Sequence, residues 1–332
     1  MLEFLKSNGR SQDRAADADN DVPARGRPTI GLALGGGAAR GFAHIGVIRT
    51  LVSRGLAPDV IAGTSIGAVA GGCYAAGQLD GFEQWGLGLT RRRILSYLDI
   101  NLSGSGLIWG RRLADRLDGA LGNIAIDDLP VRFAAIATEI GTGHEIWLTR
   151  GRLVDALRAS YALPGIFSPV PIGGRWLVDG TLVNPVPVAA ARALGARLVI
   201  AVNLNADLFG RGTTIPSHGS DVEDEHLEAA IPGGRGVRRL FGAEQIIKRR
   251  HLGRRGHPGI STVMIEAFNV MQDRIARSRL AGDPADVTIN PQLGRIGLFE
   301  FHRAAEAIAL GAEAAERALE PLTQAIAALA PA

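Results

Sequence analysis

Apolar positions in the first third of the chain follow two periods that alternate. Thr29–Leu34 is a continuous apolar run of strand length, and Phe42–Arg54 then carries Ile45, Val47, Ile48, Leu51 and Val52 at helical spacing. A second short run, Asp59–Ala62, gives way to a small-residue helical stretch from Ile66 to Gly77. Strand, helix, strand, helix in this order predicts an α/β fold with a parallel sheet. The pattern continues less regularly, with helices predicted at Arg111–Leu121, Leu153–Ser160 and Pro187–Gly195. Strands are predicted at Phe133–Glu139, Glu145–Thr149, Trp176–Val178 and Arg197–Asn203. Further on, Thr262–Leu280 reads as an amphipathic helix, Ala285–Ile289 as a last strand and Phe299–Leu319 as an alanine-rich closing helix.

Two stretches break the pattern. Residues 1–28 are polar and charged and are expected to form a disordered leader. Residues 206–259 open on polar residues, pass through an acidic cluster (Asp221, Glu223, Asp224, Glu225, Glu228) and end in a basic segment, 235–255. There Arg235, Arg238, Arg239, Lys248, Arg249 and Arg250 interleave with Val237, Leu240, Phe241, Ile246 and Ile247. The plain reading is a flexible polar and basic insertion; the sharper one is an amphipathic segment that rests on an anionic membrane surface. The expected division is thus a core at 29–205, an insertion at 206–259, and a C-terminal part, 260–332, that packs back on the core.

Composition narrows this picture. The chain has 332 residues, 46% hydrophobic and 21% charged, enough for one large or two medium domains. A single cysteine, Cys73, excludes an internal disulfide framework and a cysteine-based zinc site, and is expected to be a buried structural thiol. The first 28 residues lack the apolar core of a secretory signal, and no apolar run is long enough to span a bilayer. A cytoplasmic protein, with peripheral contact to the inner face of the membrane, is the expectation. A formal charge of +3 gives no argument for nucleic acid, and none is expected as a partner. His, Asp and Glu residues lack ligand spacing, so no metal or cofactor is expected.

The chemistry concentrates at three places. Gly63-Thr64-Ser65-Ile66-Gly67 is a G-x-S-x-G where an apolar run meets a helix, a turn that pushes the serine out as a nucleophile, with flanking glycines keeping Cβ atoms from the crowded backbone. The following helix directs its positive N-terminal end at the place where an oxyanion would form. The loop Gly35-Gly36-Gly37-Ala38-Ala39-Arg40-Gly41 lies after the first strand. A dinucleotide fingerprint would need an acidic residue at the end of the next strand, and a P-loop would need G-K-[ST]; neither is present. The loop is better suited to present backbone N–H groups to an oxyanion beside the serine turn. Asp179, in Trp176-Leu177-Val178-Asp179-Gly180, ends an apolar strand and offers a carboxylate, although Asp-Gly is also a common turn former. Of the histidines, His44 reads as a brace for the glycine loop, and His302 follows the chain order Ser, Asp, His of one triad class.

These pieces together closely resemble bacterial patatin-like phospholipases. Gly31 to Val47, containing the glycine loop, is similar to their first block, and Gly63-Thr64-Ser65-Ile66-Gly67 to their nucleophile elbow. Ala159-Ser160-Tyr161-Ala162-Leu163-Pro164-Gly165-Ile166-Phe167-Ser168-Pro169 and Val178-Asp179-Gly180 are similar to their proline-containing and aspartate blocks. The resemblance implies a three-layer α/β sandwich with a mostly parallel central sheet, and an acyl hydrolase that cleaves esters of phospholipids or lysophospholipids with a Ser–Asp dyad and no histidine. Ser65 would be the nucleophile and Asp179 its base. Backbone N–H groups of Gly36, Gly37 and Ala38 would form the oxyanion hole, and Arg40, Gly41, Gly63, Gly67 and Gly180 would support loop and elbow. Two departures stand out. Ala38 replaces the usual third glycine of the loop, which costs little if its φ is negative and about 1 kcal/mol or more if positive. Thr181 follows Asp179-Gly180 where a smaller residue is usual. Residues 80–125, with Trp85, Leu87, Leu89, Leu95, Tyr97, Leu98, Leu107, Ile108 and Trp109, read either as a cap that admits acyl chains or as ordinary helix packing. The alternatives are a soluble esterase or thioesterase with His302 in a triad, and a non-catalytic lipid-binding regulator on the same fold.

Overall fold

The computed structural model describes residues 27–96, 106–108, 111–207 and 260–329. The leader up to residue 26 and the insertion from residue 208, with its basic segment 235–255, lie outside the described residues. In chain order the strands are β1 (Ile30–Leu34), β2 (Val60–Thr64), β3 (Gly106–Ile108), β4 (Arg132–Glu139), β5 (Glu145–Leu148), β6 (Gly165–Phe167), β7 (Val170–Ile172), β8 (Arg175–Asp179), β9 (Leu198–Val202) and β10 (Val287–Ile289). The helices are α1 (Ala43–Ser53), α2 (Ile66–Ala75), α3 (Leu79–Leu87), α4 (Arg91–Ser96), α5 (Arg111–Leu121), α6 (Leu153–Ser160), α7 (Val188–Ala193), α8 (Ile260–Gly282), α9 (Ala304–Arg317) and α10 (Leu319–Leu329).

The main sheet runs β10-β9-β1-β2-β4-β8-β7, with β5 paired to β4 off this path. Its centre is parallel: β1 lies between β9 and β2, and β2 continues to β4. The hairpin side, β8 and β7, is antiparallel. β10 pairs with β9, so the segment after residue 260 completes the same sheet. Alternation along β1 explains its unbroken apolar run: Ile30, Leu32 and Leu34 enter one core, Ala33 the other. The first core is built with α1, α2, α6 and α9, through residues such as Ile45, Ile48, Leu157 and Ala307. The opposite core is thinner and uses α7 and α8 (Val188, Ala191, Ala276). Helices on both faces of one sheet make the three-layer α/β sandwich.

Two features differ from the pattern-based expectation. The small parallel pair β3–β6 and the edge strand β7 are three residues each, too short to show a period. The expected closing helix, Phe299–Leu319, corresponds to α9, which ends at Arg317, and a further helix beyond it, α10, starts at Leu319. Pro321 has no N–H to return to the Arg317 carbonyl, so the helix restarts with proline in its first turn, where no such bond is needed. Among the described residues, no helix is long and apolar enough to cross a membrane.

The topology sets the site. Parallel pairing with Leu34 opposite Gly63 puts the loop after β1 beside the turn after β2, at the carboxyl edge of the sheet. Thr64 is opposite Ile136 on β4, and the next residue, Ala137, is opposite Asp179 on β8. The antiparallel return of β8 therefore brings Asp179 to the level of Ser65.

Candidate active site

Ser65 caps α2 with φ 56° and ψ −124°, a backbone state that L-residues rarely adopt and that costs about 1–3 kcal/mol. Its surroundings enforce this state. The Ser65 N–H donates to Ser160 Oγ at 2.9 Å, and the Ser160 hydroxyl donates to the Ile136 carbonyl at 2.6 Å. Thr64 Oγ1 donates to the Asn184 carbonyl at 2.8 Å. Side chains are excluded on both sides: a Cβ on Gly63 would lie 2.5 Å from the Ala68 backbone, and one on Gly67 2.1 Å from the Leu34 oxygen. The squeezed turn extrudes the serine, whose hydroxyl donates to Asp179 Oδ2 at 2.6 Å.

Asp179 is held at every polar atom. Its N–H donates to the Ala162 carbonyl at 2.9 Å and its carbonyl accepts from Thr138 Oγ1 at 2.9 Å. Oδ1 accepts from the Thr181 N–H at 2.8 Å and from the Thr181 hydroxyl at 2.7 Å. Gly180 allows β8 to press on β4, since a Cβ there would lie 2.3 Å from the Ile136 oxygen. Burial pushes the carboxyl up to about 6, against the lowering effect of the bonds from Ser65 and Thr181. Near neutral pH the group is an ionised acceptor poised to take a proton.

The glycine loop corrects one expectation. The Gly36 N–H is already donated to the Pro185 carbonyl at 3.0 Å, so Gly36 is not a free oxyanion donor. Its place in the loop is one of close approach, since a Cβ there would fall 2.3 Å from Thr181 Cγ2. Gly37 and Ala38 are the N-cap and first residue of a 3-10 turn, Ala38–Phe42, and lack an intrahelical acceptor. No other acceptor takes their N–H groups among the described residues. Ala38 has φ 48°, so the costly branch of the expectation for this substitution applies.

Arg40 is a buried brace. Nε donates to the Ile296 carbonyl at 2.8 Å and Nη1 to Asn205 Oδ1 at 3.1 Å. Asn205 Nδ2 reaches the Gly36 carbonyl at 3.3 Å, which ties the loop to the last strands. Burial lowers the guanidinium to about 10, with Asp207 and Glu266 opposing, so it stays cationic. A Cβ on Gly41 would meet the Ile66 side chain at 2.2 Å, so loop and elbow are in direct contact. His44 is fully buried and donates Nε2–H to the Gly35 carbonyl at 2.8 Å; burial holds it neutral, down to about 4. It braces the loop, as its sequence position suggested. Cys73 is buried, and its thiol is pushed up to about 12 by burial.

Ser65 and Asp179 open into a cavity of about 860 Å³, with Gly37 and Ala38 in the same wall. The wall is largely apolar: Val69, Phe82, Trp85, Leu117, Phe167, Phe268 and Phe301 contribute. Of the expected cap residues, Trp85 lines the cavity, Leu89 is buried in the core and Leu87 is exposed at the surface; Tyr97, Leu98 and Trp109 lie outside the described residues, as do the side chains of Leu95, Leu107 and Ile108. His302 also lines the cavity, but the hydroxyl of Ser65 is bonded to Asp179. Among the described residues, no group of three His, Cys, Asp or Glu is placed to hold a metal ion.

Residues 32–192 match the family model described as patatin-like phospholipase. An "uncharacterized NTE family protein" of Mycobacterium tuberculosis is 37% identical over 333 residues, covering 88% of this chain and 92% of its own length. The chain belongs to the patatin-like phospholipase family. It is a lipid acyl hydrolase by that membership. A patatin-like phospholipase domain-containing protein 7 of Mus musculus is 32% identical over 204 residues, 59% of this chain and 15% of that protein. Among solved structures, VipD from Legionella pneumophila aligns over 88% of this chain and 67% of its own, with 14% identity and a TM-score of 0.47.

Within this patatin-like phospholipase, sequence reasoning missed Ser160 and the hydroxyl of Thr181. Ser160 lay inside a recognised block and Thr181 beside one, but neither carries a local sign of its partner.

Proposed function

We propose that this protein hydrolyses carboxylic esters of phospholipids or lysophospholipids with a Ser65–Asp179 dyad. The observation that carries the reading is the 2.6 Å bond from the Ser65 hydroxyl to a buried carboxylate at the wall of an apolar cavity. Ser65 Oγ attacks the ester carbonyl carbon while its proton passes to Asp179 Oδ2. The resulting oxyanion is held by the free N–H groups of Gly37 and Ala38 and by the N-terminal end of α2. Collapse of this intermediate breaks the bond to the alcohol, which leaves with the proton from Asp179. Water then attacks the acyl-enzyme, Asp179 takes its proton, and the carboxylic acid departs as Ser65 is reprotonated.

A phosphate-bearing lipid suits the cavity better than a neutral glyceride. Arg91 and Arg116 both line it, cationic groups that a phosphate could meet. The acidic wall residue Glu300 is already engaged by Arg303 and the Gly297 N–H. The basic segment 235–255 would hold the enzyme at an anionic lipid surface.

The test is hydrolysis of a short-chain p-nitrophenyl ester and a lysophospholipid by wild type, Ser65→Ala, Asp179→Asn and His302→Ala, with folding checked by circular dichroism. Ser65→Ala and Asp179→Asn are expected to lose roughly 10³-fold or more in kcat while folded, and His302→Ala to stay active. Full activity in Asp179→Asn would remove the dyad and make His302 the leading base. Lipid binding without turnover, unchanged in Ser65→Ala, would mark a non-catalytic binding protein.

A further inference from the structure

The two oxygens of the Asp179 carboxylate are used unequally. Oδ2 faces the Ser65 hydroxyl at 2.6 Å, whereas Oδ1 receives two donors from one residue, the N–H and the hydroxyl of Thr181, at 2.8 and 2.7 Å. The torsion that turns a carboxylate about its Cβ–Cγ bond is broad, so a single donor leaves the plane of the group loosely set. Two donors converging on Oδ1 leave Oδ2 free for the serine. Thr181 is only 1% exposed, so no solvent competes with its hydroxyl.

The other branch of the same side chain touches the glycine loop. Thr181 Cγ2 occupies the space into which a Cβ on Gly36 would point, at 2.3 Å, and that same Cβ would lie 3.5 Å from Ser65 Cβ. Gly36 immediately precedes the two residues with free N–H groups. A β-branched side chain has few χ1 states, so hydroxyl and methyl are set in opposite directions by one rotamer. Serine would keep only the hydroxyl at this position, valine only the methyl, and alanine neither.

We infer that Thr181 is a positioning residue of the hydrolytic site, its hydroxyl fixing the Asp179 carboxylate so that Oδ2 meets Ser65 and its methyl setting the spacing between that carboxylate and the oxyanion loop. The inference rests on the Ser65–Asp179 dyad proposed above. The charge balance agrees with it. Among the described residues the Asp179 side chain is hydrogen-bonded by the hydroxyls of Ser65 and Thr181 and by the Thr181 N–H, and no charged group there contributes to its raised pKa. Among the described residues the remaining titratable groups of the cavity wall are Arg91, Arg116, Glu300, His302, Tyr161 and Cys73. In the absence of a cationic partner, donors from Thr181 are what keep the buried carboxylate ionised without blocking the oxygen that takes the proton.

The experiment compares wild type, Thr181→Val, Thr181→Ser and Asp179→Asn on a soluble p-nitrophenyl ester, with kcat, KM and the full pH profile for each. Thr181→Val is expected to lose about tenfold or more in kcat with KM little changed, because a hydrogen bond to a charged group is lost. Its acid limb is expected to move to higher pH. Thr181→Ser is expected to keep the wild-type acid limb and to lose less rate. A Thr181→Val enzyme with wild-type kcat and acid limb overturns the inference. So does a Thr181→Ser enzyme whose acid limb moves to higher pH, a measurement that stands even if the valine variant does not fold. The two levels separate cleanly: an active Asp179→Asn overturns the dyad and the inference together, whereas an inactive Asp179→Asn beside an unaffected Thr181→Val overturns the inference alone.

Discussion

Among the described residues, two non-glycines sit at positive φ, Ala38 at 48° and Ser65 at 56°, and both line the cavity. For Ser65 the strain has a visible return, because the same backbone state aims Oγ at Asp179. For Ala38 no acceptor takes its N–H among the described residues to offset the strain. Ala38→Gly is therefore expected to raise stability by up to about 1 kcal/mol, read as a higher urea midpoint, with activity retained. Asp179 carries a different tension. Its folded-state pKa, about 6, lies above the ordinary value of 3.8, so the native state binds the proton more tightly than the unfolded chain does. Stability from this group is fully present below pH 3.8 and is lost as pH rises through about 6, a change on the order of 3 kcal/mol. Activity runs the other way, since the base must be ionised: kcat/KM is expected to fall below about pH 6 and to level off above it. A pH series of kcat/KM beside denaturation midpoints checks both signs. Ser65, Asp179 and the loop were legible at this scale because each sits in a local motif. The Ser160 contact was not, since its partner is 95 residues away along the chain.

At the scale of elements, the unbroken apolar runs of β1, β2 and β9 marked strands covered on both faces, and the structure covers them on both faces. What the runs could not reveal was how closely helices approach one another. α1 and α9 cross with backbones in contact: a Cβ on Gly46 would lie 2.0 Å from the Ile308 oxygen, and one on Gly311 2.0 Å from the Ala43 oxygen. Neither glycine is needed for a left-handed backbone; both are needed for the absence of a side chain. Gly46→Ala must push the helices apart, because carbonyl oxygens cannot move aside as side chains do. It is expected to cost about 1–3 kcal/mol, measured by chemical denaturation. Because α1 follows the glycine loop, activity should fall along with stability. In sequence, these glycines look only like weak points in helices; their reason is a contact between segments far apart in the chain.

Across the whole molecule, the cavity is a joint product of distant segments. Phe82 and Trp85 come from α3, Leu117 from α5, Phe268 from α8 and Phe301 from the turn before α9. Among the described residues, the two arginines of the wall also come from separate elements, Arg91 from α4 and Arg116 from α5. The double variant Arg91→Gln, Arg116→Gln is expected to raise KM about tenfold or more for a lysophospholipid while leaving that for a monoacylglycerol of the same chain length unchanged. Equal effects on both lipids would remove the phosphate from the proposed role of these arginines. The chain by itself determined the order of strands and helices, the parallel centre of the sheet, and the serine and carboxylate of the candidate site. Each of these is written in local periodicity or in a short motif, where neighbours in sequence are neighbours in space. Only the tertiary structure decided which loop amides are free, that the Gly36 N–H is spent on Pro185, and that Ser160 and Thr181 hold the elbow and the Asp179 carboxylate. A hydrogen-bond partner is chosen by distance and direction after folding, and residue type alone carries neither.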